Sequence, residues 1–315
     1  MTTTISANSA QTPAPAAEPL LPAPLGSRAA TFAAVILPPL GLVAAIALVW
    51  GWGVTWVDLA LLAGMYLLTA VGVTVGFHRL LVHRSFDTYA AVKFALAALG
   101  SMAVQGRLLK WAAHHRRHHQ HSDTAHDPHS PHRFGSGLIA RVRGFWHAHI
   151  GWAFTADPPG WSRYVRDLRR SPALRVADRM FFGWVAVGLL VPAVVGGFLT
   201  ESWAGAARAL LWGGLVRVFL VHHVTWSVNS VGHLWGSRPH ASGDQSRDNF
   251  VLGVLALGEG WHNTHHAFPT SARHGLRWWQ PDASYWMIRL LALVGLAWNV
   301  RLPTRPALAG NRPAN

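Results

Sequence analysis

Thr31-Phe-Ala-Ala-Val-Ile-Leu-Pro-Pro-Leu-Gly-Leu-Val-Ala-Ala-Ile-Ala-Leu-Val-Trp50 is an apolar run without a single charge. At about 1.5 Å of rise per residue, a helix of that length crosses a hydrocarbon core of about 30 Å. The pair Pro38-Pro39 predicts a kink, because proline removes a backbone donor and crowds the turn before it. A link at Gly51 to Thr55 carries no Lys or Arg, and a second apolar span follows at 56–77. Two more spans read at 180–199 and 205–224, joined by the short stretch Thr200 to Ala204.

Of the 27 basic residues, 16 lie between Arg79 and Arg179 and eight more follow Trp226. Short uncharged links belong outside and basic segments inside, so both termini and both long polar segments are expected on the cytoplasmic side of a multi-pass membrane protein. The fold class is therefore read as all-α: a bundle of four transmembrane helices carrying a cytoplasmic helical cap at 78–179 and 226–303. Residues 1–30, rich in Ala, Pro, Thr and Ser, read as a disordered tail, and 304–315 as a second tail. The apolar stretches Tyr89 to Val104 and Tyr285 to Val300 are short for spans and read as helices on the interface or on the cap. Arg217 falls inside the fourth span, where it marks either a gating or substrate contact or a side chain near the headgroups.

Composition agrees with a bilayer. Apolar residues make up 51% of the 315 and charged residues only 13%, about half the usual soluble share, while 17 tryptophans suit a lipid boundary. The formal charge of +14 raises nucleic acid as a partner, but the basic residues flank apolar spans, which assigns them to the membrane surface and excludes nucleic acid here. The absence of cysteine excludes disulfides, thiolate metal sites and thiol nucleophiles.

Histidine carries the chemistry. His115, His118 and His119 form His-x-x-His-His, and His262, His265 and His266 repeat the pattern in Gly-Glu-Gly-Trp-His-Asn-Thr-His-His. On a helix such spacing can aim three imidazoles into one pocket. His78 and His83 lie upstream, and Asn229 with His233 forms an i, i+4 pair at the mouth of the fourth span. If the spans pair as hairpins, all of these fall on one side. Nine imidazoles exceed the appetite of one ion, since zinc takes about four ligands, so two ions fit. Zinc and iron both accept imidazole; a centre beside lipid also suits iron, which changes oxidation state and activates oxygen. His78 and His83, five apart, stand about 140° apart on an ideal α-helix and would serve different ions or straddle a helix end. For the other eleven histidines a surface position is expected, with His114, His121, His126, His129 and His132 as potential outer partners.

From about Phe77 to Pro303 these motifs resemble the integral-membrane fatty acyl desaturases, in particular the stearoyl-CoA, delta-9 type: His-Arg-Leu-x-x-His-Arg-Ser-Phe, His-x-x-His-His, Asp-Pro-His, Asn-Ser-x-x-His-Leu-x-Gly and Gly-Glu-Gly-Trp-His-Asn-x-His-His-x-Phe-Pro in family order. The resemblance implies two iron ions with His78, His83, His115, His118, His119, His233, His262, His265 and His266 as ligands and Asn229 reaching one metal through water. It implies dioxygen as co-substrate and a cis double bond, at delta-9, in a long-chain saturated acyl thioester, acyl-CoA first. An external electron carrier and its reductase are implied as partners. It also places Gln105, Trp111, Thr225 and Trp226 around the bend of an acyl tunnel, with Tyr66 and Ala70 at its closed end.

Departures from animal members touch the carrier. Ala113 stands where they have Arg, His114 replaces an acid, and Thr264 replaces Tyr between the last ligands. An acyl-carrier-protein ester or a lipid-bound chain therefore stays open beside acyl-CoA, with Arg107, Lys110, Arg116 and Arg117 as candidate phosphate partners. Two rival classes remain: a membrane di-iron hydroxylase using similar histidine boxes, and a non-enzymatic metal carrier, which would place its ligands along its spans rather than beyond one face.

Overall fold

The computed structural model describes residues 21–157 and 160–311. The expected N-terminal tail lies outside those residues up to position 20; the remainder of it does not stay irregular, because the first helix, α1, already starts at Leu25 and runs to Trp52. The helix is continuous through Pro38 and Pro39. The second span is α2, Trp56–Val71, continuing without a break into a π-helical segment, Gly72–Val82. Thr55 caps it: its hydroxyl accepts from Asp58 N, while Asp58 Oδ2 accepts from Thr55 N at 2.9 Å.

After a two-residue strand β1, Asp87–Thr88, come α3 (Ala90–Met102), α4 (Leu108–His121), α5 (Leu138–His149), α6 (Arg166–Arg170) and α7 (Pro172–Arg179). The third span is α8, Phe181–Thr200. The fourth is composite: α9 (Trp203–Ala209), a π segment Leu210–Val216, and α10 (Arg217–Ser230), ending in a tight turn at Val231–His233. Short helices α11 (Phe250–Leu255) and α12 (His262–Ala267), then α13 (Ala283–Leu293) and strand β2 (Ala297–Trp298) complete the cap, with β2 antiparallel to β1. The C-terminal stretch read as a tail forms a short helix, α14 (Arg305–Gly310), and Asn311 O accepts from Ala241 N, so it is docked on the cap.

Among the described residues, four helical stretches are long and apolar enough to cross a membrane: 25–49, 56–82, 181–200 and 203–233. The second and fourth are about half buried and the first and third only 17%, so α1 and α8 turn Phe32, Leu40, Val43, Val194 and Phe198 outward. Outward apolar side chains along whole helices are what lipid, not water, accommodates. The two inner spans run further than expected, to Val82 and His233, and so deliver His78, His83 and His233 to the cap. The helix α3 lies flat against the second span: a Cβ on Gly72 would sit 2.1 Å from Gly100 N, so both backbones meet at glycine.

Arg217 corrects its sequence reading. It is fully buried and donates to the carbonyls of Met102 at 2.7 Å, Gly188 at 2.8 Å and Gly213 at 3.2 Å. Five donors in a planar fork let one guanidinium join three helices, so it is neither a headgroup anchor nor a substrate contact.

Candidate metal centre

The π segment decides the site. His83 N donates to His78 O at 3.0 Å, an i to i−5 bond, and winding of that kind returns every fifth residue to one face. Of the two readings of this pair, different ions or a helix end between them, the second holds: the segment ends at Val82 with His83 as its C-cap, the ring centroids lie 4.6 Å apart and both rings belong to one cluster. The two His-x-x-His-His sets are also divided. In each, the i, i+4 pair stays together and the residue between them faces the other way. One cluster gathers His78, His83, His115, His119 and His265; the other gathers His118, His233, His262 and His266. Thus α4 supplies two imidazoles to the first and one to the second, and α12 does the reverse.

The nitrogens that meet are Nε2 throughout. In the five-histidine cluster the separations are 3.1 Å for His78 and His265, 3.1 Å for His83 and His115, 3.0 Å for His115 and His119, and 2.9 Å for His119 and His265. In the four-histidine cluster they are 3.0 Å for His233 and His262 and 3.3 Å for His118 and His266. Burial pushes His83, His115, His119, His262 and His265 well below the usual imidazole range, so these rings are neutral and present lone pairs. Imidazole nitrogens about 2.1 Å from a shared cation and about a right angle apart would stand about 3.0 Å from each other. Each donor set has the spacing of a metal-ligand shell, and both sets are compatible with metal binding.

An outer layer of acids orients the rings. His118 Nδ1 contacts Asp127 at 3.0 Å, His233 Nδ1 contacts Asp123 at 2.9 Å and His266 Nδ1 contacts Asp244 at 2.5 Å. His78 Nδ1 is 2.6 Å from Glu259 Oε2. In the three aspartate pairs the carboxylate holds the proton on Nδ1 and leaves Nε2 free for metal, whereas His78 Nδ1 and Glu259 Oε2 lie close without hydrogen-bond geometry. Burial is the largest single influence, raising Asp127 and lowering His118, but their mutual attraction and hydrogen bond, helped by Asp123 and Asp244 on the ring and by His129 on the acid, together outweigh it and hold the acid well below and the imidazole above its ordinary range. These four acids went unnamed in the sequence reading. A signal existed: only 13 acids occur in the chain, and Asp123, Asp127 and Glu259 lie in or beside the histidine motifs.

The surface position expected for the remaining histidines fails for His129, His147, His149, His222 and His274, all buried. His129 stands with His118 and Asp127, and His274 with His78 and Glu259. Among the four proposed phosphate partners, Arg116 is turned inward onto Asp167 at 2.7 Å and Arg117 is buried with Nε on His126 O. Arg107 and Lys110 line a surface groove, although Lys110 pairs with Asp157 there, as does His114 at 3.0 Å. Thr264 fills its place by bonding Asp248 through both N and Oγ1.

Beside the clusters lies a pocket bordered by Tyr66, Ala70, Trp111, Thr225 and Asn229 together with His78, His115, Glu259 and His262. A larger groove is bordered by Gln105, Trp111 and Trp226 and by faces of α1 and α8. Trp111 borders both, stacked on the ligand-set ring of His115 at 5.1 Å and 7°. Tyr66 is fixed by its hydroxyl, which donates to Leu255 O at 2.7 Å.

Four apolar helices long enough to span a membrane, and a cap that draws nine imidazoles into two adjoining sets beside an apolar pocket, define a histidine-rich membrane-type protein with clusters able to hold metal. A model of the family described as fatty acid desaturase matches residues 52–301. The chain is 41% identical over 281 residues, 89% of its length and 88% of the relative's, to the hex-5-enoyl-(acyl-carrier protein) acetylenase of Moorena producens (strain JHB). It is 38% identical over 252 residues, 79% of its length and 85% of the relative's, to the sn-1 stearoyl-lipid 9-desaturase of Anabaena variabilis. It is likewise 38% identical over 260 residues, 80% of its length and 67% of the relative's, to the icosanoyl-CoA 5-desaturase of Limnanthes douglasii. The chain belongs to the fatty acid desaturase family, whose members are oxidoreductases.

Proposed function

We propose that this protein is an oxygen-dependent desaturase that places a cis double bond, at delta-9, in a long saturated acyl chain carried as a thioester, with acyl-CoA as the first candidate carrier. The observation that carries the reading is the cavity in which ligand rings and apolar side chains from two spanning helices share one wall. Two iron ions in the histidine sets would supply the oxygen activation that removal of hydrogen from an unactivated methylene demands.

The chain's own residues supply position. Val73, Val221, Val224 and Val228 make the cavity apolar, which suits methylenes and excludes water. Ala70 and Tyr66 close it on the membrane side, while Trp111 and Trp226, with Gln105 held on Val221 O at 3.3 Å, set the bend between groove and cavity. A chain seated there brings two neighbouring carbons to the same place in each turnover. Asn229 faces the cavity beside His262 and suits a water held at the four-histidine ion. Arg107 and Lys110 stand at the polar end of the groove, where the carrier would rest.

The relatives are named for chains carried by protein, lipid and CoA, and they differ in position and chain length as well. Orientation follows the basic residues: cap and termini on the cytoplasmic side, where an external electron carrier and reductase reach the centre. The test is the lipid profile of a desaturase-deficient host expressing this chain, with His265→Ala beside it. A new cis monoene absent from the variant supports the reading; a hydroxylated product, or metal flux without lipid turnover, replaces it with one of the rivals.

A further inference from the structure

The two histidine sets are not equivalent, and the difference lies in what stands behind them. In the four-histidine set, three of four rings have an aspartate on Nδ1: Asp127 behind His118, Asp123 behind His233 and Asp244 behind His266. In the five-histidine set, among the described residues, an acid pairs with His78 alone, through Glu259. Glu259 does not serve that ring exclusively. Its other oxygen accepts from Arg79 Nε at 3.0 Å, and it lies 3.3 Å from His274 Nδ1; Arg79 in turn pairs with Asp282 at 2.8 Å.

The three aspartates are themselves immobilised. Asp127 accepts from Asp123 N at 2.9 Å and His129 N at 3.0 Å. Asp123 accepts from Ser130 Oγ at 2.8 Å and from Gln245 N at 2.8 Å, which ties it to the segment carrying Asp244. Asp244 accepts from Ser242 Oγ at 2.7 Å and Ser246 N at 3.0 Å. Such carboxylates fix ring orientation, make the imidazole a stronger donor and place negative charge opposite a buried dication, whose desolvation is otherwise costly. Exposure runs the same way: all four rings of this set are buried, whereas His115 and His119 of the other are half-buried.

We propose that the two ions are held unequally, the one in the four-histidine set being the tighter, and that Asp123, Asp127 and Asp244 are the positioning residues that make it so. One more imidazole in the other set does not offset this, because loss of a single outer partner typically costs about 10–100-fold in metal affinity and three act here. The inference rests on the two-ion reading above.

The test strips metal-loaded purified protein with excess EDTA at neutral pH and follows metal remaining per chain by mass spectrometry. Two phases of equal size are expected, with His265→Ala keeping the slow one and His266→Ala losing it. Asp127→Asn, Asp123→Asn and Asp244→Asn should each speed the slow phase about 10-fold or more and leave the fast phase unchanged, whereas general unfolding would speed both. Glu259→Gln should act on the fast phase alone. Two ions leaving at one common rate, or a slow phase that survives His266→Ala but not His265→Ala, would overturn the inequality while leaving the two-ion centre standing. One ion per chain in the starting protein would remove both.

Discussion

Arg217 Nη2 donates at 2.8 Å to the carbonyl of Gly188, which is the carbonyl that Pro192 leaves without its helical partner. Proline has no N–H to offer the residue four before it. The second bond, to Met102 O, meets another carbonyl freed by the end of α3. A charged side chain in a spanning helix is thus used to satisfy backbone acceptors that lipid could not. Arg217→Met should destabilise the protein by about 3 kcal/mol or more, read as a fall in Tm in detergent. In a Pro192→Ala background, where the alanine N–H would restore the helical bond, the same substitution should cost less.

Gly72 and Gly100 hold α3 against the second span, and a methyl group on Gly100 would meet Phe77 at 2.6 Å. Gly72→Ala should therefore push α3 away and cost about 1–3 kcal/mol. Because Gly72 opens the π segment that pairs His78 with His83, metal content should fall with it. A normal Tm and full metal content in the variant would contradict this packing account.

Ala70 is 7% exposed and borders the cavity far from the groove. Ala70→Trp should shorten the space and shift turnover from eighteen-carbon chains towards shorter ones, leaving metal content unchanged. Unaltered activity on the eighteen-carbon chain would remove Ala70 from the tunnel.

Burial of His266 gives the metal-free protein a pH-dependent stability. Burial takes His266 down to about 4, with Asp244 opposing it only in part. The unfolded imidazole titrates near 6.5, so between about 6.5 and about 4 the unfolded chain binds a proton the folded one refuses. Stability from this ring is complete above that window and lost as pH falls through it. In the metal-free protein the share of Tm that this ring controls, read as wild type against His266→Phe, should hold from pH 8 to about 6.5 and decline below; a difference unchanged from pH 7 to pH 5 would contradict the burial.

Much of this was legible in residue spacing. The Thr31 to Trp50 run, the uncharged link at Gly51 to Thr55 and the basic flanks disclose the spans, since lipid enforces both length and charge placement. Which imidazole meets which was not legible. Angular arithmetic assumes an α-helix, and the π winding of Gly72–Val82 alters the period just where His78 and His83 sit. Likewise, Arg116 and Arg117 look like surface cations in sequence, and only the tertiary contacts with Asp167 and His126 turn them inward. Some acids behind the rings were hidden because their partners are distant: Asp123 and His233 stand 110 residues apart, whereas Asp127 lies only nine from His118.

The central claim is that nine imidazoles from separate segments hold two ions beside an acyl-shaped cavity. Iron-loaded protein examined by metal counting with iron-edge X-ray absorption tests it most directly. Two iron ions per chain, each in a shell of nitrogen at about 2.1 Å with imidazole scattering, are expected, falling to one or fewer in His265→Ala. A single ion per chain, or a shell dominated by carboxylate oxygen, would contradict the account.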